Sequence, residues 1–282
     1  MAKTIFEAYN GCKIRLESAG IEDYVFESKQ IIKHITGMTG LEIISNPMKP
    51  LSSEQENDLE LVIDRRLTHY PLQYILGDWD FYGRKFYIGE GVLIPRADTE
   101  TVAEKCLDLI KDVKRAKVLD LCAGTGCIGI TVACERTDAS VILVEKYDTA
   151  LEYTQKNVLQ NGANNAVAVK GDVMSGDYAD RKYDLIVSNP PYISDEDMKN
   201  LQPEVTFEPQ AALAGGIDGL DFYRAIAKNY SGALNEGGKI CFEIGIGEEN
   251  GVTEILEQNG FYNIGTQNDT SDVCRVVFGT KK

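Results

Sequence analysis

Two segments of this chain carry residue types at spacings that can do chemistry. The first, Cys122-Ala123-Gly124-Thr125-Gly126-Cys127-Ile128-Gly129, sets Gly124, Gly126 and Gly129 as G-x-G-x-x-G directly after the apolar run Lys117–Leu121. Glycine lets a backbone approach a ligand closely, and a helix beginning at such a turn presents unpaired N–H groups and a partial positive charge to a pyrophosphate or a carboxylate. Glu145 follows Gly126 by 19 residues, at the end of the next apolar run, where a carboxylate can accept hydrogen bonds from both hydroxyls of a ribose. The pair points to a nucleoside-containing cofactor; the bland alternative is a structural glycine turn with a surface glutamate. Spacing alone does not separate a nicotinamide dinucleotide from S-adenosylmethionine.

The second segment separates them. Asn189-Pro190-Pro191-Tyr192 follows the run Leu185-Ile186-Val187-Ser188, and ligands of open α/β sheets sit at strand carboxyl ends. Neither proline has an N–H, so the turn offers carbonyl oxygens and the Asn189 side-chain oxygen without competing donors. Two acceptors side by side suit a planar NH2 group, and Tyr192 can lie flat against the plane that carries it. An amide or aromatic amine is a poor nucleophile because its lone pair is delocalised. Holding both N–H bonds while a methylsulfonium stands in line localises that pair and supplies proximity. The nitrogen becomes acidic once alkylated, so no histidine base is required. An ordinary Pro-Pro turn with a packed tyrosine is the alternative, and a dehydrogenase would leave these four residues without a role.

A parallel sheet covered by helices must hold these turns. Apolar runs of strand length, Lys117–Leu121, Ser140–Glu145, Ala166–Val169, Tyr183–Ser188 and Lys239–Ile244, alternate with helical stretches near 127–136, 148–160, 219–234 and 248–258. The tail offers two successive strands, Phe261–Thr266 and Val273–Phe278, which fit an antiparallel hairpin at the sheet edge. Upstream, residues 1–75 read as a small helical bundle. Its helices span 4–19, with Thr4 and Glu7 spaced as a capping box, then 23–36, then a stretch from Ser53 with Glu56 three residues on. This bundle is either a packing accessory or a substrate-recognition cap. Alternation from Asp78 to Ile94 predicts a hairpin, so residues 76–95 link the bundle to a cofactor domain at 96–282.

Composition narrows the partners. At 282 residues, about two domains are expected, and 43% hydrophobic with 26% charged residues is ordinary for a folded chain. A net charge of −15, spread over both parts, makes duplex DNA a poor partner, since phosphate contacts need lysine and arginine. Seven cysteines without a C-x-x-C pair, accompanied only by His34 and His69, argue against a metal site and for reduced, mostly buried thiols. No apolar run approaches the ~18 residues of a spanning helix. The opening residues show neither a secretory core nor a transit pattern. A cytoplasmic location follows as the expectation.

The segments SNPPY, DLCAGTGCIGI and LIPRADTE (Leu93 to Glu100), with FEPQAALAGGIDGLDFYR (Phe207 to Arg224) and FEIG (Phe242 to Gly245), resemble in the same order the peptide chain release factor glutamine methyltransferases. The likeness spans nearly the whole chain, although the N-terminal helices add little to it. It implies an α/β class I methyltransferase with a Rossmann-like, mostly parallel seven-stranded sheet and a C-terminal antiparallel hairpin, plus a small N-terminal helical bundle. It implies S-adenosylmethionine as methyl donor, S-adenosylhomocysteine as product and no metal. The acceptor would be the glutamine side-chain nitrogen in the Gly-Gly-Gln loop of class I release factors. By position, Cys122, Ala123, Gly124, Thr125 and Gly126 would hold the methionine moiety, Glu145 the ribose, and Asp172 and Val173 the adenine. Asn189 and the Pro190 carbonyl would accept the glutamine N–H bonds in a turn completed by Pro191, and Tyr192 would pack on the amide plane. Arg96, Thr99 and Glu100 would line the substrate path. Their alternative is a linker turn capping the next helix, since Asp98 and Thr99 precede Val102 and Cys106. Members often carry Asp in place of Glu145, an aromatic in place of Val173, and G-T-G-T-G in place of C-A-G-T-G. The chain would act as a monomer, with no stable nucleic-acid binding and no membrane. N-P-P-Y is shared with amino-methyltransferases of adenine or cytosine in DNA and RNA, but base flipping needs a positive cleft that this acidic chain lacks. A release-factor adaptor without turnover is the non-enzymatic alternative.

Overall fold

Short polar caps start the helical unit. Thr4, Thr39 and Ser52 each close a capping box with Glu7, Glu42 and Gln55, opening α1 (Ile5–Ser18), α3 (Gly40–Ser45) and α4 (Ser53–Arg66), while α2 (Tyr24–Thr36) lies between the first two. The third cap falls one residue before the expected Ser53–Glu56 pair. Both pairs share the spacing, so the pattern alone does not choose between them. Ile5, Ala8, Cys12 and Leu16 of α1 meet Ile31, Ile32, Leu59 and Ile63 in one apolar core. A final short helix, α5 (Leu72–Leu76), stops at Gly77, whose φ of 79° is the left-handed conformation that glycine adopts freely.

The chain was described by a computed structural model covering residues 2–282. It divides into two units, the chain up to Gly77 with Gln202–Phe207, and Asp78–Leu201 with Glu208–Lys282. The segment 202–207 joins the helical unit through Glu204 and Phe207. Arg66, almost fully buried, donates to both oxygens of Glu27 at 2.7 and 3.0 Å and to Glu204 at 3.1 Å. His69 Nδ1 lies 2.9 Å from the same Glu204 oxygen, and Phe207 packs edge-on against Tyr70.

The second unit opens with the antiparallel pair β1 (Asp78–Phe81) and β2 (Arg84–Tyr87), turned at Tyr82 and Gly83, both at positive φ. The expected hairpin reached Ile94, but pairing ends at Tyr87. Gly89 and Gly91 instead allow the chain to pass tightly over Tyr153 and Thr149, which a Cβ would meet at 2.1 and 2.7 Å. Then follow α6 (Glu100–Leu109), β3 (Lys117–Leu121), α7 (Cys127–Glu135), β4 (Ser140–Glu145), α8 (Asp148–Gln160), β5 (Ala166–Lys170), β6 (Tyr183–Ser188), β7 (Ile193–Ser194), β8 (Ala214–Gly216), α9 (Asp221–Tyr230), β9 (Leu234–Glu243), α10 (Glu249–Gln258), β10 (Phe261–Asn268) and β11 (Cys274–Lys281).

Seven strands form one sheet in the order β5-β4-β3-β6-β9-β11-β10. The ladder from β5 to β9 is parallel, and β11 runs antiparallel to both of its neighbours, giving the expected terminal hairpin. Val118, Leu185, Val187 and Cys241 face one core with Cys106 and Ile130, and Leu119, Ile186 and Phe242 face another with Tyr223 and Val252. Alternation along each strand thus buries both faces under helices. Strand order reverses between β3 and β6, the switch point at whose carboxyl side open sheets bind ligands.

Candidate active site

A cavity of about 500 Å³ opens at that switch point. Its size suits a nucleoside cofactor. The turn after β3 forms one wall, with Cys122, Gly124 and Gly126 all at positive φ. Cys122 carries a side chain in a conformation that favours glycine, and the turn is fastened around it. Ala123 N–H donates to the Val144 carbonyl at 3.1 Å and Gly126 N–H to the Ala123 carbonyl at 2.7 Å. From α8, the Thr154 hydroxyl donates to the Gly124 carbonyl at 2.7 Å and Asn157 Nδ2 to the Thr125 carbonyl at 3.0 Å. Asn157 also exchanges two hydrogen bonds with the Tyr87 backbone, tying the turn to the β1–β2 hairpin. At Gly126 a Cβ would come within 2.7 Å of Ile130 and 2.9 Å of Thr154, so the turn closes only on glycine.

Glu145, buried at the end of β4, gathers three backbone amides. Oε2 accepts Gly124 N–H at 2.9 Å, and Oε1 accepts Lys146 and Tyr147 N–H at 2.8 and 2.9 Å. Each carboxylate oxygen has two lone pairs, so Oε1 is filled and Oε2 keeps one for a hydroxyl donor. Asp172 takes Met174 N–H at 2.9 Å and pairs with Lys146 at 2.8 Å; burial works against its ionisation, but these contacts hold its carboxyl below the ordinary range. Val173 is buried in the wall, and the aromatic surfaces of the cavity come from Tyr147 and Phe222.

Asn189 and Pro191 line the cavity beyond β6, with Pro190 buried behind them. Tyr192 stands beside the cavity, largely enclosed, and burial pushes its hydroxyl up to about 12. Three glycines clear its place. A Cβ at Gly215, Gly219 or Gly245 would approach Tyr192 Cα, O or Cδ2 at 2.7, 2.4 or 3.1 Å. The Ile193 and Asp195 amides then pair with the Leu213 and Gly216 carbonyls, closing a loop at β7 and β8.

Arg96 and Thr99 also line the cavity. Arg96 pairs with buried Glu208, whose second oxygen accepts Ile94 N–H at 3.0 Å. Glu100 is elsewhere. It opens α6, and its carboxylate takes Tyr82 N–H at 2.6 Å. The fold therefore brings Arg96, Thr99, Cys122, Ala123, Gly124, Thr125, Glu145, Asp172, Val173, Asn189 and Pro191 to one cavity, and sets Gly126, Pro190, Tyr192 and Glu100 outside its wall.

The sequence reading missed Asp120, Thr154, Asn157, Glu208 and Phe222. Asp120 could have been noticed as an acid inside the apolar run Lys117–Leu121; it is buried and accepts Gly129 N–H at 2.9 Å at the start of α7. Burial pushes its carboxyl up to about 7, against the Gly129 hydrogen bond. The folded chain thus binds this proton more tightly than the unfolded chain, where aspartate titrates near 4. Its contribution to stability is full below about pH 4 and is lost as the pH rises through about 7. Asp120→Asn should flatten that decline by on the order of a few kcal/mol between about pH 5 and pH 8 in urea unfolding. Parallel pH curves for the two proteins would contradict it.

The description of a methyltransferase small domain matches residues 100–214, and that of a PrmC N-terminal domain matches residues 7–77. A release factor glutamine methyltransferase of Geobacter sulfurreducens is 38% identical over 265 residues, covering 94% of this chain and 92% of that one. Those of Clostridium botulinum and Fusobacterium nucleatum are each 35% identical, covering 94% of this chain and 95% and 76% of theirs. Among solved structures, the hMettl16 catalytic domain in complex with a MAT2A 3′UTR hairpin has a TM-score of 0.57 at 16% identity, covering 80% of this chain and 82% of that chain. The T. thermophilus 16S rRNA methyltransferase RsmC, in complex with AdoMet and guanosine, has a TM-score of 0.54 at 21% identity, covering 73% of this chain and 50% of that chain. These two share the fold.

Proposed function

Because this chain belongs to the release factor glutamine methyltransferase family, we infer that it transfers a methyl group from S-adenosylmethionine to the side-chain amide nitrogen of the glutamine in a release factor's Gly-Gly-Gln motif. The observation that carries the reading within the molecule is the Asn189-Pro190-Pro191-Tyr192 turn, which follows β6 directly and lends Asn189 and Pro191 to the cavity wall. The curated relatives favour this protein substrate over the exocyclic amine of a nucleic-acid base.

The residues present fit the methyl donor. Glu145 keeps one Oε2 lone pair free for a ribose hydroxyl, the turn from Cys122 to Gly126 leaves room beside the N-terminus of α7 for the methionine part, and Asp172 and Val173 flank the adenine. When bound, S-adenosylmethionine supplies a methyl group on a positively charged sulfur. Asn189 Oδ1 and the Pro190 carbonyl accept the two N–H bonds of the glutamine amide and turn its nitrogen lone pair toward the cavity. Tyr192, wedged among Gly215, Gly219 and Gly245, offers the flat face for the amide plane. The acceptor nitrogen is thereby oriented, and its resonance with the carbonyl weakened, before any bond forms. Arg96 and Thr99 guide the loop that carries the glutamine.

The helical unit holds the body of the release factor, and the chain works as a monomer in the cytoplasm. No helix among the described residues is long and apolar enough to cross a membrane. The reading is tested by offering an intact release factor and a short Gly-Gly-Gln peptide at equal concentration, then mapping the product by peptide mass spectrometry. One methyl on the glutamine, with strong preference for the intact protein, is expected. A methyl on any other residue would overturn the assignment of the acceptor, and equal use of the peptide would remove the role of the helical unit.

A further inference from the structure

Two cations line the cavity, and they stand differently. Lys146 is paired with Asp172. Arg96 lines the same cavity as Asn189 and Pro191 and pairs with Glu208, and its charge is also felt at the Tyr192 hydroxyl. Its guanidinium has five N–H donors, and Glu208 engages one of its amino groups, which leaves donors to spare. Glu208 itself is buried, with a side chain only 2% exposed, and its other oxygen holds the backbone of Ile94. One carboxylate therefore fixes both the main chain and the cationic side chain of the cavity wall from Ile94 to Arg96.

A buried carboxylate is costly to keep unless its partners are well placed, and removing it strands them. A more exposed arginine such as Arg96, with a side chain 38% accessible, would otherwise sample many conformations in water. A held guanidinium presents a rigid fork suited to a carbonyl or carboxylate oxygen. Resting on the proposed function, we propose that Glu208 is a positioning residue that aims Arg96 at a backbone carbonyl of the substrate loop, so that the pair sets recognition of the protein substrate. The same fork also suits the carboxylate of the methyl donor, and the test separates the two.

The test is steady-state methyl transfer to an intact release factor by the wild-type, Glu208→Gln, Arg96→Met and double-variant chains, with donor affinity measured separately by calorimetry. Each single variant should raise KM for the release factor about tenfold, the worth of one hydrogen bond to a charged group, while kcat and donor affinity stay within about twofold. The double variant should match the single ones, because both remove the same contact. A loss of donor affinity with unchanged KM would overturn the proposal and give Arg96 to the donor's carboxylate. Additive effects in the double variant, or a wild-type KM for Arg96→Met, would overturn it too. Should Glu208→Gln fail to fold, the Arg96→Met arm still decides. Wild-type chain that transfers nothing to the release factor would instead count against the proposed function itself.

Discussion

Asn189→Ala should slow methyl transfer to a release factor by about a thousandfold while donor affinity changes by no more than about threefold. Asn189 lines the cavity at the end of β6, followed by two prolines that cannot donate, and on the proposed function its side-chain oxygen is one of two acceptors for the incoming NH2 group. An amide nitrogen held by one acceptor alone keeps its planar resonance and its rotational freedom. Preorganised polar contacts of this kind are commonly worth 10² to 10³ in rate. The residues proposed to hold the donor, Glu145, the turn from Cys122 to Gly126 and Asp172, take none of the hydrogen bonds described above from Asn189. The two measurements therefore separate. Single-turnover transfer and calorimetric donor binding on the same sample check them; transfer near the wild-type rate would remove Asn189 from the mechanism.

Glu145→Ala is expected to act the other way, weakening donor binding by about a hundredfold or more. Its carboxylate collects the amides of Gly124, Lys146 and Tyr147, which belong to the two turns that frame the cavity. Alanine removes the acceptor proposed for the ribose and also releases these amides, so the loss exceeds that of a single hydrogen bond. Glu145→Asp keeps the charge with a shorter reach and should lose far less. Calorimetric titration with S-adenosylhomocysteine reads both. Unchanged affinity in Glu145→Ala would mean that the ribose lies elsewhere in the cavity.

What the amino-acid sequence discloses follows from how local each signal is. The glycine turn, Glu145 and the Asn189 to Tyr192 turn are read from short spacings at strand ends, and the parallel strands from apolar runs between helical stretches. Glu208 could not be read this way, because its partners Ile94 and Arg96 lie 114 and 112 residues upstream. The same holds for Asn157, which meets Tyr87 across 70 residues, and for the segment 202–207, whose partners Arg66 and His69 belong to the helical unit. β7 and β8, of 2 and 3 residues, are too short to show a period. Gly89 and Gly91 misled in the opposite direction. They mark a close approach to α8, where alternation alone predicted a longer hairpin. Glu100 was carried to the substrate path with its neighbours, although one step into α6 turns its side chain toward Tyr82.

The most direct test of the central claim is transfer of a labelled methyl group from S-adenosylmethionine to a class I release factor, to the same factor with its Gly-Gly-Gln glutamine replaced by alanine, and to duplex DNA. Label on the unaltered factor alone is the predicted result, since it joins donor, acceptor and target residue in one assay. Equal label on the alanine-bearing factor, or label on DNA in place of either protein, would contradict it.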